Sequence, residues 1–163
     1  MNKFEKVSFE QYKESVSSDA DLRQEYEDIK IPQRATKGSA GYDFFSPFSF
    51  SLEAGESIKM PTGIRVKIDT PQTFLAIVPR SSLGFKYRLQ LDNTMGIIDS
   101  DYFYSDNEGH IFAKITNCNN ENKRLEINKG DAFMQGIFLN FGITEDDNAI
   151  TIRNGGCGST NKE

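Results

Sequence analysis

The sequence predicts an all-β domain of the sandwich or jelly-roll kind, with a short helical segment before it and a glycine-rich tail after it. Three observations carry that expectation. Apolar residues recur with a period of two in short runs, as in Ile64-Arg-Val-Lys-Ile68. Gly, Pro, Asn and Asp, the residues that turn a chain, stand between the runs. A length of 163 residues, 37% of them apolar and 26% charged, suits one soluble domain with a core of its own.

Residues 1–31 read as a helical extension. Ser8 followed by Gln11 fits a capping box, and Phe9, Tyr12 and Val16 recur at helical spacing. A second helix is expected from about Asp21 to Glu27. Pro32 closes the segment, because the residue before a proline avoids the α region. Five basic and eight acidic side chains give this segment −3 of the net charge of −5. The alternative is a solvated leader.

Residues 32–152 read as the β domain. Phe48-Ser-Phe-Ser-Leu52 and Ile64–Ile68 alternate, whereas Phe74-Leu-Ala-Ile-Val78 is a continuous run of the fully buried type. Ile111–Ile115 and Phe133–Phe138 follow as strands. Ala54-Gly55, Pro61-Thr-Gly63, Asn107-Glu-Gly109 and Lys129-Gly130-Asp131 read as turns. Residues 153–163, with three glycines in four positions, cannot hold a regular element. They read as a flexible arm: either a mobile terminus or a ribbon of backbone N–H groups able to fold over phosphates.

Composition excludes several classes. No run approaches the ~18–20 apolar residues of a membrane helix, and the first residues lack the apolar stretch of a signal peptide. A cytoplasmic protein with no membrane partner is expected. Cys118 and Cys157 are too few for a disulfide framework and read as free thiols. His110 is the only histidine, which leaves a zinc site short of ligands. Nothing forms a basic stripe, so no nucleic-acid partner is expected. An anionic ligand would have to be held by local donors and a cation.

Two segments could carry chemistry. Pro79-Arg-Ser-Ser-Leu-Gly-Phe-Lys86 offers a fixed cation, two hydroxyls and a glycine turn at a strand end. Arg80, Ser81 and Ser82 suit a phosphate grip; a polar turn with Arg80 in an ion pair is the plainer reading. In Asn93-Thr-Met-Gly-Ile-Ile-Asp99-Ser-Asp-Tyr102, Asp99 follows an apolar strand and could act as a general base for water. It could equally be a turn residue, Tyr102 a packing residue, and Asn93 either an Asx turn or an amide that reads a base edge.

The order of the motifs narrows these choices. Ala35-Thr-Lys-Gly-Ser-Ala-Gly-Tyr-Asp43, Pro79–Gly84, Gly96–Tyr102, Gly130-Asp-Ala-Phe-Met-Gln135 and Arg153–Thr160 resemble, in sequence order, the five motifs of the trimeric dUTPase family. Pro61-Thr-Gly-Ile64 resembles the strand between the first two, and the likeness spans about residues 32–160. The extension and the long segment after Tyr102 look most like Gram-positive bacterial or phage versions.

The resemblance implies a Mg²⁺-dependent dUTP diphosphatase with a jelly-roll fold and active sites shared among three subunits. Asp99 matches the aspartate that orients the attacking water. Asn93 matches the asparagine that pairs with uracil from a β-hairpin, with main-chain groups of Gly96 and Ile97 completing the contact. Tyr102 matches the aromatic residue under the deoxyribose. Arg80, Ser81, Ser82 and Gln135 match phosphate-side positions, and Asp43 a supporting one. Arg153, Gly158, Ser159 and Thr160 match the arm that closes over the β- and γ-phosphates. No direct protein ligand to the Mg²⁺ is implied, since that ion prefers phosphate oxygens and water. Ser82 stands where the family often has glycine, Cys157 where its arm has phenylalanine, and Ala132-Phe133 where a basic and an aliphatic residue are common. The arm's base cover is expected to weaken, with Phe103 or Tyr104 as substitutes. Two alternatives remain: a related dCTP deaminase, and a regulatory module that keeps the fold but acts through a protein partner.

Overall fold

The computed structural model describes residues 1–16, 21–151 and 153. Eleven strands and three α-helices follow one another among them. A four-stranded sheet has the order β2-β11-β6-β8, from Tyr42–Phe45, Ala132–Asn140, Thr73–Pro79 and Gly96–Ile98. A three-stranded sheet has the order β4-β9-β7, from Ser57–Pro61, Phe112–Asn117 and Leu89–Leu91. Two antiparallel pairs complete the β structure: β1 (Lys3–Lys6) with β5 (Ile64–Lys67), and β3 (Phe50–Leu52) with β10 (Leu125–Ile127). All four sheets send side chains into one core cluster, among them Val66, Leu75, Ile77, Phe133, Ile115 and Leu125. The all-β expectation is met.

β6 is the spine. Its continuous apolar run pairs antiparallel with β11 on one side, Ile77 opposite Gly136, and with β8 on the other, Ile77 opposite Gly96. A strand covered on both faces and both edges has no place for polar side chains, which is why it does not alternate. Pro61 ends β4, an edge strand, where its missing N–H costs no ladder bond. A bulge between Ala132 and Met134 on β11 breaks the alternation and buries Phe133 and Met134 in succession.

The N-terminal residues depart from a purely helical extension. Helices α1 (Phe9–Ser15) and α2 (Leu22–Glu27) lie where the spacing puts them. Strand β1 precedes them, and the polar sequence Lys-Phe-Glu-Lys gave no sign of it. Phe4, Val7, Tyr12 and Ile29 belong to the core cluster, so these residues are part of the domain's packing. The capping box is half formed. Ser8 Oγ accepts from Gln11 N–H at 3.1 Å, but Ser8 N–H donates 2.7 Å to Glu108 Oε2, not back to Gln11. A carboxylate from the long loop after Tyr102 thus takes the role expected of a local side chain.

Gly63 and His110 lock this region to the β domain. Gly63 has φ +69°, and a Cβ there would lie 2.4 Å from Ile29 Cδ1. Its N–H donates 2.9 Å to His110 Nε2, and its carbonyl accepts from Val7 N–H at 3.0 Å. His110 is fully buried. Nε2 accepts, so the ring is neutral with its proton on Nδ1, 3.3 Å from Ser15 Oγ. Desolvation pushes its pKa from 6.5 down to about 4. The only histidine is a core hydrogen-bonding residue.

The folded pKa of His110 is depressed, so its contribution to stability is complete above the unfolded value of 6.5 and is lost as pH falls toward 4. About 3 kcal/mol of unfolding free energy should disappear across that window. Urea unfolding at several pH values checks it: His110→Gln should flatten the slope between pH 6.5 and 4 by about one proton, and an equally steep slope in the variant would count against the assignment.

Candidate active site

The chemistry-bearing residues fall into two groups. The first lies at the C-terminal end of β6. Asp43 on β2 stands opposite Gln135 on β11, which stands opposite Val78 on β6. Arg80 Nε pairs with Asp43 Oδ1 at 3.2 Å, and Arg80 Nη1 donates to the Ala132 carbonyl at 3.3 Å beside the bulge. Gln135 Nε2 donates to the Pro79 carbonyl at 3.4 Å. Arg80 thus makes an ion pair, which holds the guanidinium beside Ser81 and Ser82. Both serines are exposed and open α3 (Ser81–Tyr87). The glycine turn expected in this segment is absent. Gly84 lies inside α3, and the reversal falls at Arg88, which adopts the left-handed region at φ 50°. Gly41 was not legible as a site residue. A Cβ there would stand 2.2 Å from Gln135 Oε1, so only glycine leaves the amide its place.

The second group surrounds β8. Gly96 and Ile97 pair with Ile77 and Ala76 of β6. Asp99 follows Ile98, with its side chain 48% exposed, and precedes the 3₁₀ turn Ser100–Tyr104. Asn93 lies in the turn between β7 and β8. That turn is not a hairpin. β7 pairs with β9 and β8 with β6, so it is a corner between two sheets. Asn93 and Gly96 border a cavity of about 400 Å³ together with Ile98, Ile77 and Phe112. Tyr102 is buried. Its hydroxyl donates to the His110 carbonyl at 2.8 Å and accepts from Asn107 Nδ2 at 2.9 Å. Phe103 lies under the Arg65 guanidinium at 4.4 Å, and Tyr104 is exposed.

Arg153 closes over this second group. Its Nη2 lies 2.5 Å from Asp99 Oδ2, its Nε 3.0 Å from Asp101 Oδ1, and its guanidinium carbon 5.9 Å from the Tyr102 ring centroid. Gly158, Ser159 and Thr160 of the arm lie outside the described residues, as does Cys157.

Arg80 and Asp99 lie at opposite ends of β6, while the β7–β8 turn that carries Asn93 lies toward the Arg80 end, where Pro79, Asp92 and Thr94 border one cavity. Ile98 pairs with Leu75, so Asp99 sits beside the start of β6, while Arg80 follows its end. Six residues of strand at about 3.3 Å each separate them by roughly 20 Å.

The fold and these residues define a class: β-sheet proteins with an arginine-serine segment at one end of the central strand and an aspartate at the other. The dUTPase family model matches residues 27–161, and the chain belongs to that family. The deoxyuridine 5'-triphosphate nucleotidohydrolase of Lactococcus lactis is 38% identical over 135 residues, covering 81% of this chain and 88% of the relative. The Haemophilus influenzae protein of the same name is 34% identical over 143 residues, covering 83% and 90%. The crystal structure of dUTPase from Streptococcus mutans superposes with a TM-score of 0.66 at 29% identity, covering 87% of this chain and 98% of that one.

Gly41→Ala tests the cradle of Gln135. The colliding atom is the end of a flexible side chain, so stability should change by about 1 kcal/mol or less while the amide is displaced. Side-chain amide resonances of Gln135 report this. Unmoved resonances, or a loss of more than about 3 kcal/mol, would contradict it.

Proposed function

We propose that this chain is a dUTP diphosphatase that releases dUMP and pyrophosphate. The observation that carries the reading is Asp99, a half-exposed carboxylate on the residue after Ile98, which itself borders the cavity with Asn93 and Gly96. Uracil takes that cavity, paired with the Asn93 amide and with main-chain groups of Gly96 and Ile97. Deoxyribose lies toward Tyr102, whose hydroxyl is anchored and whose ring is therefore held in place. Asp99 accepts a proton from water. The water oxygen bonds to the α-phosphorus, and the bond to the α–β bridging oxygen breaks, in line with the attack.

The reading puts Arg80, Ser81, Ser82 and Gln135 at the phosphates, and Arg80 lies roughly 20 Å from Asp99 of the same chain by strand length. A triphosphate does not span that distance with its α-phosphorus at the base. Arg80 and Asp99 acting on one triphosphate would come from different copies, in keeping with a homotrimer with shared sites. Exposed Phe85 on α3 and exposed Phe141 and Ile143 after β11 supply apolar surface for such contacts.

The donors present are hydroxyls, a guanidinium, amides and isolated carboxylates. Among the described residues no three His, Cys, Asp or Glu side chains are grouped to cage an ion. That set fits Mg²⁺ carried on the triphosphate, where the ion supplies charge neutralisation at the phosphates. Arg153 would pass from Asp99 to the β- and γ-phosphates, followed by Gly158, Ser159 and Thr160, freeing the carboxylate for water. The reading places the protein in the cytoplasm with free nucleotides. No helix among the described residues is long and apolar enough to cross a membrane. The regulatory alternative draws on Cys157, which lies outside the described residues, and on the N-terminal segment, where the packing of Phe4, Val7, Tyr12 and Ile29 in the core argues against a free docking arm.

Pyrophosphate release from dUTP, UTP, dTTP and dCTP with Mg²⁺ tests reaction and selectivity together. dUTP should be strongly preferred, and Asp99→Asn should lower kcat at least about 100-fold. Ammonia release from dCTP, or full activity in Asp99→Asn, would overturn the reading.

A further inference from the structure

The β7–β8 corner that carries Asn93 has no ladder of its own, because its two strands belong to different sheets. Within it Thr94 N–H reaches the Leu91 carbonyl at 2.8 Å and Met95 N–H the Asn93 carbonyl at 2.7 Å. Thr94 takes φ 68°, unusual for a β-branched residue. Such a turn could swing as a unit. Asp92 ties it down. Its carboxylate meets Lys114 Nζ at 2.8 Å through Oδ2 and accepts from Thr116 Oγ1 through Oδ1, while its N–H donates to the Lys114 carbonyl at 3.0 Å. Lys114 and Thr116 are alternate residues of β9, so both project from one face of that strand. Thr116 Oγ1 also meets Ser57 Oγ of β4 at 2.7 Å, which extends the anchor across the sheet. The Lys114 and Thr116 bonds hold the Asp92 carboxyl below its ordinary range, so it stays charged at neutral pH.

Asp92 also stands between two cavities. One, of about 610 Å³, is bordered by Pro79, Gln90 and Cys118; the other is the Asn93 cavity of about 400 Å³. A shift of Asp92 would open one at the expense of the other and carry the neighbouring Asn93 amide with it. We propose that Asp92, clamped by Lys114 and Thr116, is a positioning residue that sets base selectivity by fixing Asn93. It touches no reacting atom. This rests on the reading that Asn93 meets the base.

The parent enzyme is assayed first on dUTP and dCTP. Absence of dUTP turnover by the parent overturns the functional reading, and this inference with it. Given turnover, Asp92→Ala should raise the KM for dUTP about tenfold with kcat within about threefold, and should lower the dUTP-to-dCTP preference in kcat/KM about fivefold or more. Asp92→Asn keeps the side-chain shape and a bond to Thr116, and should recover most of the selectivity. Lys114→Gln, on the other partner, should shift KM in the same direction by a smaller factor, and serves if Asp92→Ala folds poorly. A purely structural role would reduce melting temperature and active fraction while leaving KM and the substrate ratio unchanged. That result, in Asp92→Ala or in Lys114→Gln, overturns the inference.

Discussion

The double pairing of β6 is the constraint on which everything else rests. Its ladder with β11 places Gln135 beside Val78 and brings Asp43 into line one strand further out. Its ladder with β8 sets Ile98 opposite Leu75 and so puts Asp99 beside the opposite end. A slip of one residue in either ladder would set Ala76 where Leu75 and Ile77 now pack, and the core would resist the mismatch. The positions of both side-chain groups are thus secured by apolar burial, far more than by the polar contacts among them.

The polar contacts do a different job. Arg80 gives one nitrogen to Asp43 and another to the Ala132 carbonyl, which holds the guanidinium in one orientation beside Ser81 and Ser82. With its side chain 38% exposed, the pair contributes little to folding. Its value is geometric, since a preset cation does not have to be ordered when an anion arrives. The Tyr102 hydroxyl, held between His110 and Asn107, follows the same logic at the other end.

Legibility in the sequence followed length and periodicity. Ile64–Ile68 alternates and Phe74–Val78 runs unbroken, and both are strands within a residue or two. β7, β8 and β10 have three residues each, too few to display a period. β1 was hidden because Lys3, Glu5 and Lys6 surround its one core residue, Phe4. α3 was hidden because Arg80 is not a capping residue and makes no side-chain cap bond, and because Gly84 imitates a turn. Within the site, contiguous residues such as Gly96–Tyr102 were readable. Gly41 under Gln135 and Asp92 on Lys114 were not, because each depends on a neighbour brought in from a distant strand. Glu108 capping α1 from a hundred residues away is the same lesson in the scaffold.

Arg153 rests on Asp99 and Asp101 with little of its own side chain exposed. Two carboxylates two residues apart would otherwise show water a concentrated negative charge at the very place where an anionic nucleotide must arrive. The guanidinium cancels much of that field before any ligand is near. Approach is then resisted less than the bare aspartates would resist it.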